Sequence, residues 1–260
     1  MGFKIGIIGT GNVAWHLARN LENSGHVISC VYDREIDKAK QFTLDYFNAK
    51  PTNKHNLITI DASIFIMAIS DDAIEEVAGN LILPEEAHLF HTSGTKPLST
   101  LGYANTNNIG VFYPLQTFSK GKQMDISKVP FCLEAETAES KAVLSKLATS
   151  ISNEVHFIDS HQRAVIHLSA VVACNFSNHM MSIAKGILES NEMSFDLLKP
   201  LVAETINKAI AIGPEAAQTG PARRKDLETL DKQYNSLQND ENVAKIYELV
   251  SQHILDYYSE

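Results

Sequence analysis

The stretch Lys4-Ile-Gly-Ile-Ile-Gly-Thr-Gly-Asn-Val-Ala-Trp-His-Leu-Ala18 constrains this chain more than any other. Lys4 to Ile8 is a short apolar run of strand type, and Gly9-Thr10-Gly11-Asn12-Val13-Ala14 fits G-x-G-x-x-A. Beyond it Val13, Ala14, Leu17, Ala18 and Leu21 recur at three- and four-residue spacing, the stripe of an amphipathic helix. Strand, glycine turn and helix in that order predict a dinucleotide-binding unit. Gly9 permits the tight turn, Gly11 lets the backbone approach a pyrophosphate, and Ala14 lets the helix lie close to the sheet. The helix N-terminus adds free N–H groups and partial positive charge, worth roughly 0.3–2 kcal/mol to a nearby anion. Ordinary βα turns also carry this hexapeptide, so the flanking strand and helix are what favour the ligand.

After Gly25, a C-cap, His26 to Tyr32 reads as a second strand ending in Asp33-Arg34. Asp33 lies 22 residues past Gly11, near the place where an acidic residue meets the adenosine ribose. A carboxylate there favours a free 2′-hydroxyl and hence NAD. Arg34 beside it could instead pair with a 2′-phosphate, so the residues lean slightly to NAD and leave NADP open. Glu35 to Phe47 reads as a helix, Asn48 to Asn56 as a polar link, and Leu57 to Ile60 as a short strand. Ile64 to Ile69 is an unbroken apolar strand of the kind covered on both faces, and Ser70-Asp71-Asp72 after it can cap a helix carrying Ile74, Val77 and Ala78. Ala87 to His91 delivers Thr92-Ser93-Gly94-Thr95-Lys96 to the same carboxyl edge, and Ile109 to Tyr113 delivers Gln116 and Thr117. Val129 to Ala135, a helix from Thr137 to Ser150 and Val155 to Ile158 complete an α/β pattern with a doubly wound, mostly parallel sheet over residues 1–159.

From Ser160 strand-type runs vanish, and residues 160–260 read as an all-helical domain for substrate and dimerisation. Long helices are expected through His161 to Leu188, Phe195 to Ile212 and from Val243 onward, with Gly213-Pro214 and Gly220-Pro221 as punctuation. The net charge of −9 argues against nucleic acid and anionic membranes as partners, and the apolar runs are too short to span a bilayer. Cys30, Cys132 and Cys174 are widely spaced, which suits unpaired thiols in a reducing, cytoplasmic setting. The glycine-interrupted start does not read as a signal peptide, and no His or Cys cluster has metal-ligand spacing.

The opening motif and Ile64-Phe-Ile-Met-Ala-Ile-Ser-Asp-Asp-Ala-Ile74 resemble the superfamily of 6-phosphogluconate and 3-hydroxyisobutyrate dehydrogenases and pyrroline-5-carboxylate reductases. His91-Thr-Ser-Gly94, Phe112-Tyr-Pro-Leu-Gln-Thr-Phe118, His167-Leu-Ser-Ala-Val-Val-Ala-Cys-Asn-Phe176 and Thr219-Gly-Pro-Ala-Arg-Arg-Lys-Asp226 resemble one family more specifically. It comprises NADP oxidoreductases with a Rossmann-like N-terminal domain and a helical C-terminal domain of unassigned function. The resemblance implies that fold, an NADP or NAD cofactor and a homodimer through the helical domain, and it leaves the substrate open. Two positions depart from the family pattern: Tyr113, where it more often has His, and Lys225, where it more often has Gly. The Lys-x-x-x-Asn pair of the β-hydroxyacid dehydrogenases is absent before Asn175.

With a nicotinamide over the carboxyl edge, the cofactor carries the hydride and the protein supplies orientation and a proton. Gly9, Thr10, Gly11, Asn12, Val13, Asp33, Arg34, Ile69, Ser70, Asp71, Thr92 and Ser93 are the expected cofactor contacts. His167 is the expected proton donor, with Asn175 on the same broad helical face to hold a carbonyl and Ser93 to offer a hydroxyl. Against this, His167 and Asn175 serve equally well as packing residues and Ser93 as a turn cap. Gln116, Thr117 and Arg224 are expected to touch substrate, Arg224 because its fork matches a carboxylate. Lys96 is a weaker acid, and Cys174 lacks a base that would make it a nucleophile. The pattern favours an NAD(P)-dependent dehydrogenase or reductase of a small polar metabolite. A sensor or assembly protein that holds the dinucleotide without turnover is the alternative, and a deazaflavin partner rests on superfamily analogy alone.

Overall fold

Unbroken apolar strands need cover on both faces, and the order of elements supplies it. The computed structural model describes residues 2–122 and 124–259. Its strands are β1 (Lys4–Ile8), β2 (Val27–Tyr32), β3 (Lys50–Thr52), β4 (Ile64–Met67), β5 (His88–His91), β6 (Ile109–Pro114), β7 (Phe131–Ala135) and β8 (Val155–Phe157). They form one sheet in the order β3-β2-β1-β4-β5-β6-β7-β8, parallel throughout except for the antiparallel β6–β7 pair. Helices α1 (Asn12–Asn23), α2 (Ile36–Thr43), α3 (Ile74–Asn80), α4 (Ala138–Thr149) and α5 (Ser160–Ala170) accompany it. Alternation along β4 sends Ile64 and Ile66 to the face packed by Leu17 and Leu21 of α1 and Leu144 and Leu147 of α4. Phe65 and Met67 go to the other face, against Ile74 and Ala78 of α3 and the 3₁₀ turn Leu98–Leu101. The strand order 3-2-1-4-5-6 is that of a Rossmann sheet, whose ligand crevice opens beyond the carboxyl ends where the order reverses, between β1 and β4.

Several local expectations change. The strand expected at Leu57–Ile60 lies instead at Lys50–Thr52, where Pro51 is tolerated because β3 is an edge strand bonded to β2 alone. Leu57 is buried without joining a strand, held by a hydrogen bond from its N–H to the Ile82 carbonyl. The second helix stops at Thr43, and Phe47, expected within it, is fully exposed. Ser70 occupies the cap position before the 3₁₀ turn Asp71–Ala73 and α3, yet its side chain makes no capping bond.

The start of α5 is fixed by a buried charge. Asp159 caps it through a reciprocal box with Gln162. Arg163, fully buried, pairs through Nη1 with the Glu134 carboxylate of β7 and donates from Nη2 to the Lys96 carbonyl at 2.6 Å. Ser160 donates to the same carboxylate, 2.8 Å from Oε2, and accepts from the Leu98 N–H at 3.1 Å. Helix, sheet and the loop after β5 thus share one polar knot.

Two compact units emerge, Met1–Val171 and Val172–Glu260, so the division falls within a helical stretch beyond the Ser160 boundary read from composition. In the second unit a π-helical turn, Val171–Phe176 at its edge, runs into α6 (Ser177–Glu189). A 3₁₀ turn at Phe195–Leu198 leads α7 (Lys199–Ile212), followed by the short α8 (Pro214–Ala217), α9 (Leu227–Ser236) and α10 (Glu241–Tyr257). The helices α8 and α9 were not anticipated from the sequence pattern. Tyr247 of α10 donates to Gln233 of α9 at 2.7 Å, and Arg223 stacks over Tyr258 at 4.6 Å. Among the described residues of this unit only Ala222, Leu230 and Ala244 are buried hydrophobics, while Leu197, Leu201, Ile210 and Leu249 are more than 60% exposed. No helix among the described residues is long and apolar enough to cross a membrane.

Candidate active site

The glycine turn has a separate reason at each end. Gly9 sits at φ +102°, and a Cβ there would lie 2.4 Å from the Ala68 carbonyl oxygen, so no other residue fits without distortion. At Gly11 a Cβ would meet nothing nearer than that same oxygen at 3.9 Å: the space before it is open. Gly11 is also the N-cap of α1 and supplies no side-chain cap. The first-turn amides of the helix are therefore left for an anionic ligand.

This turn lines a cleft of about 710 Å³ together with Asp33, Arg34, Ile69, Ser70, Asp71, Thr92, Ser93 and His167. Thirteen positions singled out from the sequence meet here: those eight and Gly9, Thr10, Gly11, Asn12 and Val13 of the turn.

 In plain terms, every expected cofactor contact and His167 line one cavity. The sheet order spreads them: Asp33 and Arg34 follow β2, the glycine turn follows β1, Ser70 and Asp71 follow β4, and Thr92 and Ser93 follow β5. Tyr113 on β6 is four strand steps from β2, about 19 Å at about 4.8 Å per step, room for an extended dinucleotide.

At the β2 end both oxygens of Asp33 are engaged. Thr10 Oγ1 donates to Oδ2 at 2.6 Å, and the Glu35 N–H donates to Oδ1 at 3.0 Å. Arg34 makes no ion pair among the described residues, and it lines the cleft with Lys38 and Lys120, two cations the sequence reading passed over. Lys120 belongs to a loop tied over α1, where Asn12 Nδ2 donates to the Phe118 carbonyl at 3.2 Å and His16 Nε2 meets the Ser119 carbonyl at 3.0 Å.

At the β5–β6 end the loop after β5 packs under α5. Ser93 is buried, and its oxygen accepts from the Thr95 and Lys96 N–H groups at 3.1 and 3.0 Å, so it forms the turn it stands in. Its own N–H donates to Nδ1 of His91, whose titration is pushed down to about 4, mainly by burial and then by Arg163. Thr95 closes the turn from outside by donating to Asp71 Oδ2 at 2.5 Å. The Tyr113 hydroxyl lies 3.0 Å from His167 Nδ1. A Cβ on Gly94 would come within 2.5 Å of that nitrogen and 2.9 Å of Tyr113 Cζ, so glycine is what lets histidine and tyrosine meet. Burial above all pushes the Tyr113 phenol up to about 12, which keeps it protonated at neutral pH.

The remaining positions lie elsewhere. Gln116 and Thr117 do not line the cleft; the Gln116 side chain accepts from the Thr117 N–H within their own loop. Lys96 contributes backbone groups to the Arg163 and Ser93 contacts. Asn175 and Cys174 are exposed on the π-helical turn of the second unit, and Arg224 is exposed in its 3₁₀ turn Ala222–Arg224. Lys225, after that turn, is left-handed at φ 58°, a conformation that glycine adopts without strain. The sequence reading missed the pairing of Tyr113 with His167 and the anchoring of α5 by Arg163; an arginine four residues before the histidine, on the same helical face, was the available signal.

Comparison with known proteins bears on this geometry. Residues 4–89 match the family described as NADP oxidoreductase, coenzyme F420-dependent, and residues 129–254 match DUF2520, a domain of unknown function. BF3122 from Bacteroides fragilis, by name a candidate NADP oxidoreductase, is 35% identical over 98% of both chains with a TM-score of 0.89. TM1727 from Thermotoga maritima is 19% identical over 98% of this chain and 100% of its own, with a TM-score of 0.70. A reductive aminase from Aspergillus terreus, in complex with NADPH and ethyl levulinate, shares the fold at 14% identity, 99% and 100% coverage and a TM-score of 0.73. No curated protein matches the sequence significantly.

The open space at Gly11 gives a direct test. Gly11→Val is expected to weaken NADPH binding at least about 100-fold in titration calorimetry, because a branched side chain fills the phosphate approach. The circular dichroism spectrum should be unchanged, since nothing in the protein crowds that position. Unaltered affinity would remove the amide turn from the binding site.

Proposed function

The chain belongs to the NADP oxidoreductase family that carries a DUF2520 domain, and we propose that it is an NADPH-preferring reductase of a small polar carbonyl or imine. The observation that carries this reading is one cleft holding an uncapped helix start, a group of cations and a histidine–tyrosine pair. The bound nicotinamide supplies the hydride. The chain's own residues do the rest: the amides of residues 11–13 hold the diphosphate, and Arg34, Lys38 and Lys120 surround the adenosine end. Ser93 keeps its turn in place, and His167 donates a hydrogen bond, then a proton, to the substrate oxygen or nitrogen as negative charge develops there. Gln116 and Thr117, in the loop after β6, are proposed to touch the polar end of the substrate.

The preference for NADPH follows from how Asp33 is used. Its two oxygens already accept from Thr10 and Glu35, whereas the Arg34 fork is free for a 2′-phosphate. A charge-assisted contact of about 1.5–3 kcal/mol corresponds to roughly a 10- to 100-fold preference. NADPH is expected to bind that much more tightly than NADH by fluorescence titration, and Arg34→Ala to erase most of the difference. Tighter NADH binding would return Asp33 to the ribose.

The second unit, with three buried hydrophobic residues and long apolar side chains in the open, lacks a core of its own among the described residues. A second copy of the chain covers that surface in this reading, in a cytoplasmic homodimer. Light scattering at micromolar concentration is expected to give twice the chain mass; a stable monomer would contradict it.

Turnover is the decisive measurement. With a panel of small polar ketones and imines, NADPH consumption should fall about 100-fold or more in kcat for His167→Asn, the range of a lost general acid. NADPH affinity should change less than about threefold, as the histidine does not touch the phosphates. Binding without consumption of any panel member would favour the dinucleotide sensor instead.

A further inference from the structure

We propose that Tyr113 is a positioning residue that holds His167 in a single tautomer, with Nδ1 accepting from the phenol and the hydrogen on Nε2. The phenol oxygen and Nδ1 are 3.0 Å apart, with the rings at 62° and their centres 6.0 Å apart. Tyr113 is only 9% exposed, and its hydroxyl has no other partner among the described residues. Two arrangements are possible for that contact. With the hydrogen on Nδ1, the imidazole donates to the phenol oxygen, and the phenol's own hydrogen has no partner among the described residues. With Nδ1 bare, the phenol donates to it and both groups are satisfied. The second arrangement leaves Nε2–H as the donor, the polarity required by an oxygen or nitrogen on which negative charge develops.

Three features hold the pair. Gly94 leaves the gap into which both rings fit, since a Cβ there would overlap Nδ1 at 2.5 Å. Arg163 fixes α5 one turn before the histidine through Glu134 and the Lys96 carbonyl. Tyr113 itself lies on β6, paired with Cys132 of β7 within the sheet, so its ring has little freedom to follow a displaced helix. Tyrosine is also both donor and acceptor. When Nδ1 takes up a proton, the phenol oxygen accepts from it without any rearrangement beyond rotation of its hydrogen. Phenylalanine matches the shape and can do neither.

The relevance of this hold to turnover rests on His167 facing the substrate, but the tautomer can be read with neither substrate nor cofactor. Long-range ¹H–¹⁵N spectra of the intact, ¹⁵N-labelled protein at about pH 8.5, above the ordinary histidine range, report which ring nitrogen carries hydrogen. The His167 signals are identified by their loss in His167→Asn. The wild type is expected to show the Nε2–H form in large excess. In Tyr113→Phe that excess should fall about fivefold, the size expected for one lost neutral hydrogen bond, with the thermal midpoint recorded to confirm folding. Gly94→Ala, which separates the rings by another route, should produce the same fall. A wild-type Nδ1–H form, or a ratio unchanged in Tyr113→Phe, overturns the proposal; should that variant not fold, the wild-type tautomer alone decides. Failure of every substrate, with the tautomer as expected, would count against His167 as proton donor and leave the hold of Tyr113 intact.

Discussion

A guanidinium with no exposure to water has to be matched where it lies, and Arg163 is matched through its two Nη groups by Glu134, Ser160 and the Lys96 carbonyl, while Nε has no partner among the described residues. Such a pair adds little net stability, because desolvation of both charges offsets most of their attraction. What it does is restrict geometry. Glu134 belongs to β7, Lys96 to the loop after β5 and Arg163 to α5, so any slip of the helix would strand a charge. His167 stands four residues later on the same helical face, and its position over Gly94 follows from that restriction. The cleft's donor end thus depends on a contact outside the cleft.

The β1 end depends on backbone alone. Gly9 is required by its positive φ and by the nearby Ala68 carbonyl, whereas Gly11 is required by nothing in the protein. A glycine that the fold does not need, at the start of a helix that lacks a side-chain cap, leaves the first-turn amides open to a ligand. One end is therefore held by packing and ion pairing, the other by open amides. The sheet order between β2 and β6 sets the span that a single extended molecule must cover.

The sequence was most readable where a pattern is local. The βα unit, the doubly covered strands and the residues at the carboxyl edge follow from apolar periodicity and glycine placement, which act within a few neighbours. Leu57–Ile60 misled because Leu57 is buried by packing into the apolar cluster on one face of the sheet without joining a strand, and the true edge strand contains Pro51, a residue that argues against strands in general. The pairing of Tyr113 with His167 was hidden for a similar reason: 54 residues separate them, and only the closure of α5 over β6 brings them together. Lys225 was visible as a departure from glycine, but its left-handed backbone, which glycine adopts without strain, was not.

Asp33 carries the same lesson into specificity. By residue type and spacing it stands where a carboxylate selects a free ribose hydroxyl, yet each of its oxygens already accepts one hydrogen bond within the protein, which leaves fewer lone pairs for a ligand. Thr10, inside the glycine motif itself, takes one of them, and the Glu35 N–H takes the other as the chain turns into α2. The acidic residue then serves to hold the β1 and β2 turns together, and the adjacent Arg34 lines the same edge of the cleft without an ion pair among the described residues. A motif predicts a ligand only through atoms that remain unpaired, and at this edge of the cleft those atoms belong to the arginine.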